Sequence, residues 1–101
     1  MRDWKKNKIN LAIQVLPESG KHVRYELVDK AIEAIKKAGF EHQVCPFETV
    51  VECSFEELPG LINKIHEACE SAGTERMLTN LKIQVDFGSD VSLDDKMEKY
   101  K

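Results

Sequence analysis

Apolar and polar residues alternate through "INLAIQVLP", residues 9 to 17. Ile9, Leu11, Ile13 and Val15 fall on one side, and Asn10, Ala12, Gln14 and Leu16 on the other. A period of two predicts a β-strand with one well-buried face, closed by Pro17, Ser19 and Gly20. From Arg24 to Ala38 the period changes. Val28, Ala31, Ile32, Ile35 and Ala38 follow helical spacing, and Gly39 stands where a left-handed C-terminal cap is wanted. Two short strands follow, about 40 to 45 and 49 to 53, separated by Pro46, which breaks the ladder and predicts a hairpin turn.

Ser54 with Glu57 three residues later makes a capping box. Leu58, Leu61, Ile62, Ile65, Cys69 and Ala72 then form a second helical stripe ended by Gly73. Pro59 disfavours the α conformation at the residue before it, so this helix is expected to start irregularly or at Pro59 itself. "ERMLTNLKIQVDF" alternates again, with Met77, Thr79, Leu81, Ile83 and Val85 opposed to Asn80, Lys82, Gln84 and Asp86. Ser92 and Asp95 resemble another capping pair, which predicts a short C-terminal helix over residues 92–101. The order is β-α-β-β-α-β plus that tail: an α+β, ferredoxin-like fold, with both helices on one face of an antiparallel sheet.

The other face is then open and polar. It would carry Asn10, Ala12, Gln14 and Leu16, Val50 and Glu52, and Asn80, Lys82 and Gln84. Glu52 belongs there because an unpaired carboxylate under the helices would cost several kcal/mol. Two readings of Glu52 and Lys82 stay open: an exposed cross-strand ion pair worth under about 1 kcal/mol, or a polar floor that orients a small ligand. Thr49 is either a simple strand former or a ligand contact. It lies three residues from Glu52, so both reach one site only if Thr49 sits in the turn or beside a bulge. Phe47, next to Pro46, is either a lid on the core or a surface on which a planar heterocycle stacks.

Composition narrows the class. The 101 residues fit one domain (1–101), with 42% hydrophobic and 33% charged residues, a balance that folds. Residues 1–7 read either as an ordered start or as a flexible arm. No run approaches the roughly 20 apolar residues of a membrane span, and the basic start has no signal-peptide pattern, so the expected location is cytoplasmic. A net charge of −3 leaves no basic face for nucleic acid. Cys45, Cys53 and Cys69 form no C-x-x-C, and His22, His42 and His66 lack partners at ligand spacing. Neither a disulfide frame nor a metal is expected. No nucleophile elbow, phosphate-binding glycine loop or paired acid is present, so nothing points to an enzyme.

Four short stretches in order, "LAIQVLP", "CPFETVVEC", "TNLKIQV" and "SLDDKMEKY", resemble the MTH1187/YkoF-like thiamine-binding family, also called UPF0045 or DUF77, over about residues 8 to 101. The resemblance implies a ferredoxin-like subunit, usually a homotetramer of paired dimers. Such a protein binds thiamine or its hydroxymethylpyrimidine moiety without transforming it, and needs no other cofactor. The positions it matches are Gln14 and Pro17, Thr49 and Glu52 in T-x-x-E, and Asn80 and Lys82. Adding Phe47 gives a candidate ligand set of Gln14, Phe47, Thr49, Glu52, Asn80 and Lys82. The chain departs from the family at Glu48 and Cys53, where glycine is common, and at Gln84, where aspartate often stands. The rival expectation is a scaffold whose open sheet only pairs subunits.

Overall fold

A computed structural model describes residues 3–91. The helix expected over residues 92–101 lies outside the described residues. The elements run β1 (Lys8–Glu18), α1 (Arg24–Ala38), β2 (Glu41–Val44), β3 (Thr49–Ser54), α2 (Leu58–Ser71) and β4 (Arg76–Gln84). They build a four-stranded antiparallel sheet in the order β2-β3-β1-β4. This is the ferredoxin-like arrangement that the alternation and stripes predicted.

Register follows from the alternation. Ile9, Leu11 and Ile13 of β1 lie opposite Cys53, Val51 and Thr49 of β3. All six are buried on the face that receives Ala31, Ala34 and Ile35 of α1 and Leu58, Leu61, Ile65 and Cys69 of α2. Each large aliphatic side chain removed from water contributes about 1.5–3 kcal/mol. This layer therefore holds the helices on the sheet.

The ends of the helices are set by local chemistry. Gly39 closes α1 at φ 82, and its N–H reaches the carbonyl of Lys36. The Ser54–Glu57 capping box is complete, with Ser54 Oγ accepting from Glu57 N at 3.2 Å and Glu57 Oε1 accepting from Ser54 N at 2.9 Å. It caps a 3-10 turn, Phe55–Glu57, and α2 proper begins at Leu58 with Pro59 in its first turn. A proline has no N–H to donate and is preset for that position.

The start of the chain is ordered from Asp3. Trp4 sits in a 3-10 turn and meets Phe55 and Phe87 edge-on, at 5.0 and 5.1 Å between ring centres. Asn7 is fully buried and donates to the Asp86 carbonyl at 3.1 Å. Lys8 N donates to Asp90 Oδ1, and Val91 N to the Lys8 carbonyl. The segment after β4 thus folds back onto the start of β1.

The apolar face expected of β4 is covered only in part. Met77 and Val85 pack against the core, whereas Leu81 and Ile83 stay 40% and 42% exposed. β4 is an edge strand, and the helical layer covers the sheet's centre more fully than this edge.

Candidate functional site

Between α1 and the β2–β3 hairpin lies a cavity of about 410 Å³, within the size range of small-molecule sites. One wall is the α1 face of Val28, Ala31, Ile32 and Ile35. The floor is the second half of β1, and the other wall is the turn from Val44 to Thr49. The turn is shaped by Pro46 and closed by the Cys45 N–H on the Glu48 carbonyl at 2.9 Å, so Phe47 projects at its tip. Phe47 and Tyr25 both border the cavity and are 81% and 84% exposed. Aromatic rings held in water beside an apolar cavity offer a planar molecule two stacking surfaces.

Polar groups are few. Thr49 borders the cavity, is only 6% exposed and makes no side-chain hydrogen bond among the described residues. Arg24, the first residue of α1, donates from Nε to the Pro17 carbonyl at 3.2 Å and has no carboxylate partner among the described residues. Glu48 also borders the cavity but accepts from Lys82 Nζ at 3.2 Å. Its charge is offset from the open side of the sheet.

The structure divides the six candidate residues. Gln14, Phe47 and Thr49 border the cavity, whereas Glu52, Asn80 and Lys82 do not. Thr49 opens β3 in regular register with Ile13 and Val44. With no bulge, Thr49 faces the helices and Glu52 faces the open side. Gln14 bridges the two regions, because its Oε1 accepts from Asn80 Nδ2 at 3.1 Å.

The Glu52–Lys82 pair does not form. Glu52 pairs with Lys8 at 3.6 Å and Lys82 with Glu48 at 3.2 Å. Across β1, Glu52 stands opposite Asn10 and Lys82 opposite Ala12, so the two charges are displaced along the strands. Small Ala12 lies between Lys82 and the β3 side of the sheet. The open face also buries Asn10, 4% exposed, with neither amide atom hydrogen-bonded among the described residues.

Sequence reasoning passed over Arg24, Tyr25 and Glu48. The signal was available for one of them, since Tyr25 precedes Val28, Ile32 and Ile35 on one helical stripe of α1. The exposed end of that stripe marks the cavity mouth. Arg24 and Glu48 carry no comparable pattern.

The thiamine-binding protein family matches residues 11–101. The chain belongs to that family. It is 35% identical over 92 residues to a UPF0045 protein of Clostridium perfringens, covering 91% of this chain and 96% of the relative. A UPF0045 protein of Methanothermobacter thermautotrophicus is 35% identical over 75 residues, 73% of this chain and 76% of that one. Among solved structures, a DUF77 domain of unknown function from Bacillus cereus superposes with a TM-score of 0.90 at 28% identity, over 99% of this chain and 96% of that one. A Thermotoga maritima protein described as a candidate thiamine biosynthesis or salvage protein gives 0.83 at 29% identity, over 93% and 99%.

Among the described residues no helix is long and apolar enough to cross a membrane. No group of three or more histidine, cysteine, aspartate or glutamate side chains among them could hold a metal ion.

Proposed function

We propose that this family member binds thiamine, or the hydroxymethylpyrimidine that forms its planar half, in the cavity beside α1, and releases it unchanged. The observation that carries the reading is the pairing of an apolar cavity of about 410 Å³ with two exposed rings, Tyr25 and Phe47, at its border. An aminopyrimidine offers a flat apolar face and a hydrogen-bonding edge, and Thr49 supplies an unused hydroxyl for that edge. Binding without turnover draws its support from the matching family, described as thiamine-binding protein. We place the protein in the cytosol as a homo-oligomer, a tetramer built from dimers, with the polar face and the β4 edge available for pairing.

Calorimetric titration of thiamine and hydroxymethylpyrimidine tests the reading. Phe47→Ala should weaken binding about tenfold through lost stacking, with the melting temperature little changed because the ring is largely exposed. Absence of binding at millimolar ligand, or chemical conversion of the ligand, would overturn it. Light scattering showing an 11.6 kDa species across the micromolar range would remove the oligomer.

The scaffold reading draws on β4, an edge strand that exposes Leu78, Leu81 and Ile83, the kind of edge a second sheet can cover. An oligomer that binds neither compound would favour it.

A further inference from the structure

The charges around the cavity suit an anionic group on the ligand better than its thiazolium. Among the described residues, the charged side chains that border it are Arg24 and Glu48, and Glu48 is already paired with Lys82 at 3.2 Å. Counting Lys82 with its partner, the cavity sees a surplus positive charge, carried by Arg24. Glu52, the carboxylate first considered for a cation, is outside the cavity and held by Lys8.

Arg24 is also oriented. Its Nε is fixed on the Pro17 carbonyl at 3.2 Å, which leaves the two terminal nitrogens of the guanidinium without a carboxylate among the described residues. It stands at the first position of α1, a 15-residue helix whose N-cap residue, Val23, provides no side-chain cap. The Glu26 N–H turns back to the Val23 carbonyl at 3.2 Å, so the N–H groups of Arg24 and Tyr25 are the ones left at the positive end of the dipole, and the Glu26 carboxylate of the first turn does not border the cavity. Arginine and an uncapped helix start together favour a doubly charged oxyanion. Thr49 shows independently that the same cavity is built for a polar ligand, since its side chain is buried there at 6% exposure with no partner among the described residues.

We infer that the cavity takes its heterocycle as a phosphomonoester, with the phosphoryl oxygens on Arg24 and the start of α1, the ring against Tyr25 and Phe47, and the ring edge toward Thr49. This rests on the proposed reading of the cavity as a pyrimidine site and specifies which chemical form enters it. Two sources share this chemistry, the phosphate of the pyrimidine alcohol and thiamine monophosphate.

Isothermal titration of two pairs, hydroxymethylpyrimidine against its phosphate and thiamine against thiamine monophosphate, distinguishes them. In at least one pair the ester should bind about ten- to a hundredfold more tightly than its parent, the range expected of charge-assisted hydrogen bonds. Arg24→Gln should bring that ratio close to one, with the melting temperature recorded as the check on folding. Thr49→Val should weaken ester and parent by similar factors and leave the ratio in place. Parents and esters binding alike, or a preference that survives Arg24→Gln, would overturn the phosphate assignment while the pyrimidine reading stands. No binding by any of the four would overturn the pyrimidine reading and this inference with it.

Discussion

Gly73, just past the end of α2, lies against the imidazole of His22 in the loop before Arg24 and Tyr25. Its φ is 105°, and a Cβ built on it would lie 2.6 Å from Cδ2 and 2.7 Å from Nε2 of His22. No real Cβ approaches that closely, so alanine here must both adopt a left-handed backbone and push the imidazole away. Gly39 provides the comparison. Its φ is 82°, and nothing lies within 4 Å of the point where its Cβ would stand, so Gly39→Ala measures the backbone cost alone.

That backbone cost is about 1–2 kcal/mol, lessened by the entropy that alanine removes from the unfolded chain. A net loss near 1 kcal/mol lowers the melting temperature of a domain this size by about 4–8 °C. Gly73→Ala adds the displacement of His22, whose ring is the far end of an exposed side chain, and should lose about 0.5–1 kcal/mol more than Gly39→Ala, or a few °C further. Differential scanning calorimetry of the two variants, and of Gly73→Ala with His22→Ala, separates the terms. The double variant should return to the level of Gly39→Ala. If Gly73→Ala is no worse than Gly39→Ala, or His22→Ala restores nothing, the packing of His22 on Gly73 does not constrain the loop.

Burial pushes the Cys53 thiol up to about 11, with the nearby Glu57 charge adding, and raises Cys69 by burial alone. Both folded values lie above the ordinary value of 9.0, so this contribution to stability is complete below pH 9 and is lost as pH rises toward 11. Denaturant midpoints measured from about pH 8 to 11 should fall, and the fall should shrink in Cys53→Ala. Ellman's reagent should reach Cys45, which is half-buried, before the two buried thiols. Glu52→Gln should leave pyrimidine affinity within about twofold, since Glu52 lies outside the cavity, and cost under about 1 kcal/mol through the lost pair with exposed Lys8. A tenfold loss of affinity would return Glu52 to the site.

Much of the fold is legible because each element carries its own period and stop. α1 runs from Arg24 to Ala38, as its stripe and Gly39 indicate. The capping box is equally legible, but Pro59 decides that it caps a 3-10 turn rather than α2. The ion pairs are not legible, because they depend on register across three strands. Sequence places Glu52 and Lys82 on one face, whereas the offset between Asn10 and Ala12 on β1 sends each to another partner. The cavity is less visible still. It is a gap left between α1 and the hairpin turn, and no single segment encodes a gap.

The T-x-x-E stretch shows how far a shared motif can be taken as a shared site. An interval of three on an unbulged strand puts its ends on opposite faces, and β3 is regular from Thr49 to Ser54. Thr49 therefore meets the helices and the cavity, while Glu52 meets Lys8 and the open face. One small molecule cannot contact both ends from one side of the sheet. Two side chains touch both regions instead: Gln14, bonded to Asn80, and Glu48, which borders the cavity yet is held by Lys82 from β4. A subunit docked on the open face would remove water from that ion pair and strengthen it. It would then hold the Glu48 carboxylate more firmly at the cavity rim and leave Arg24 as the charge that an incoming ligand meets.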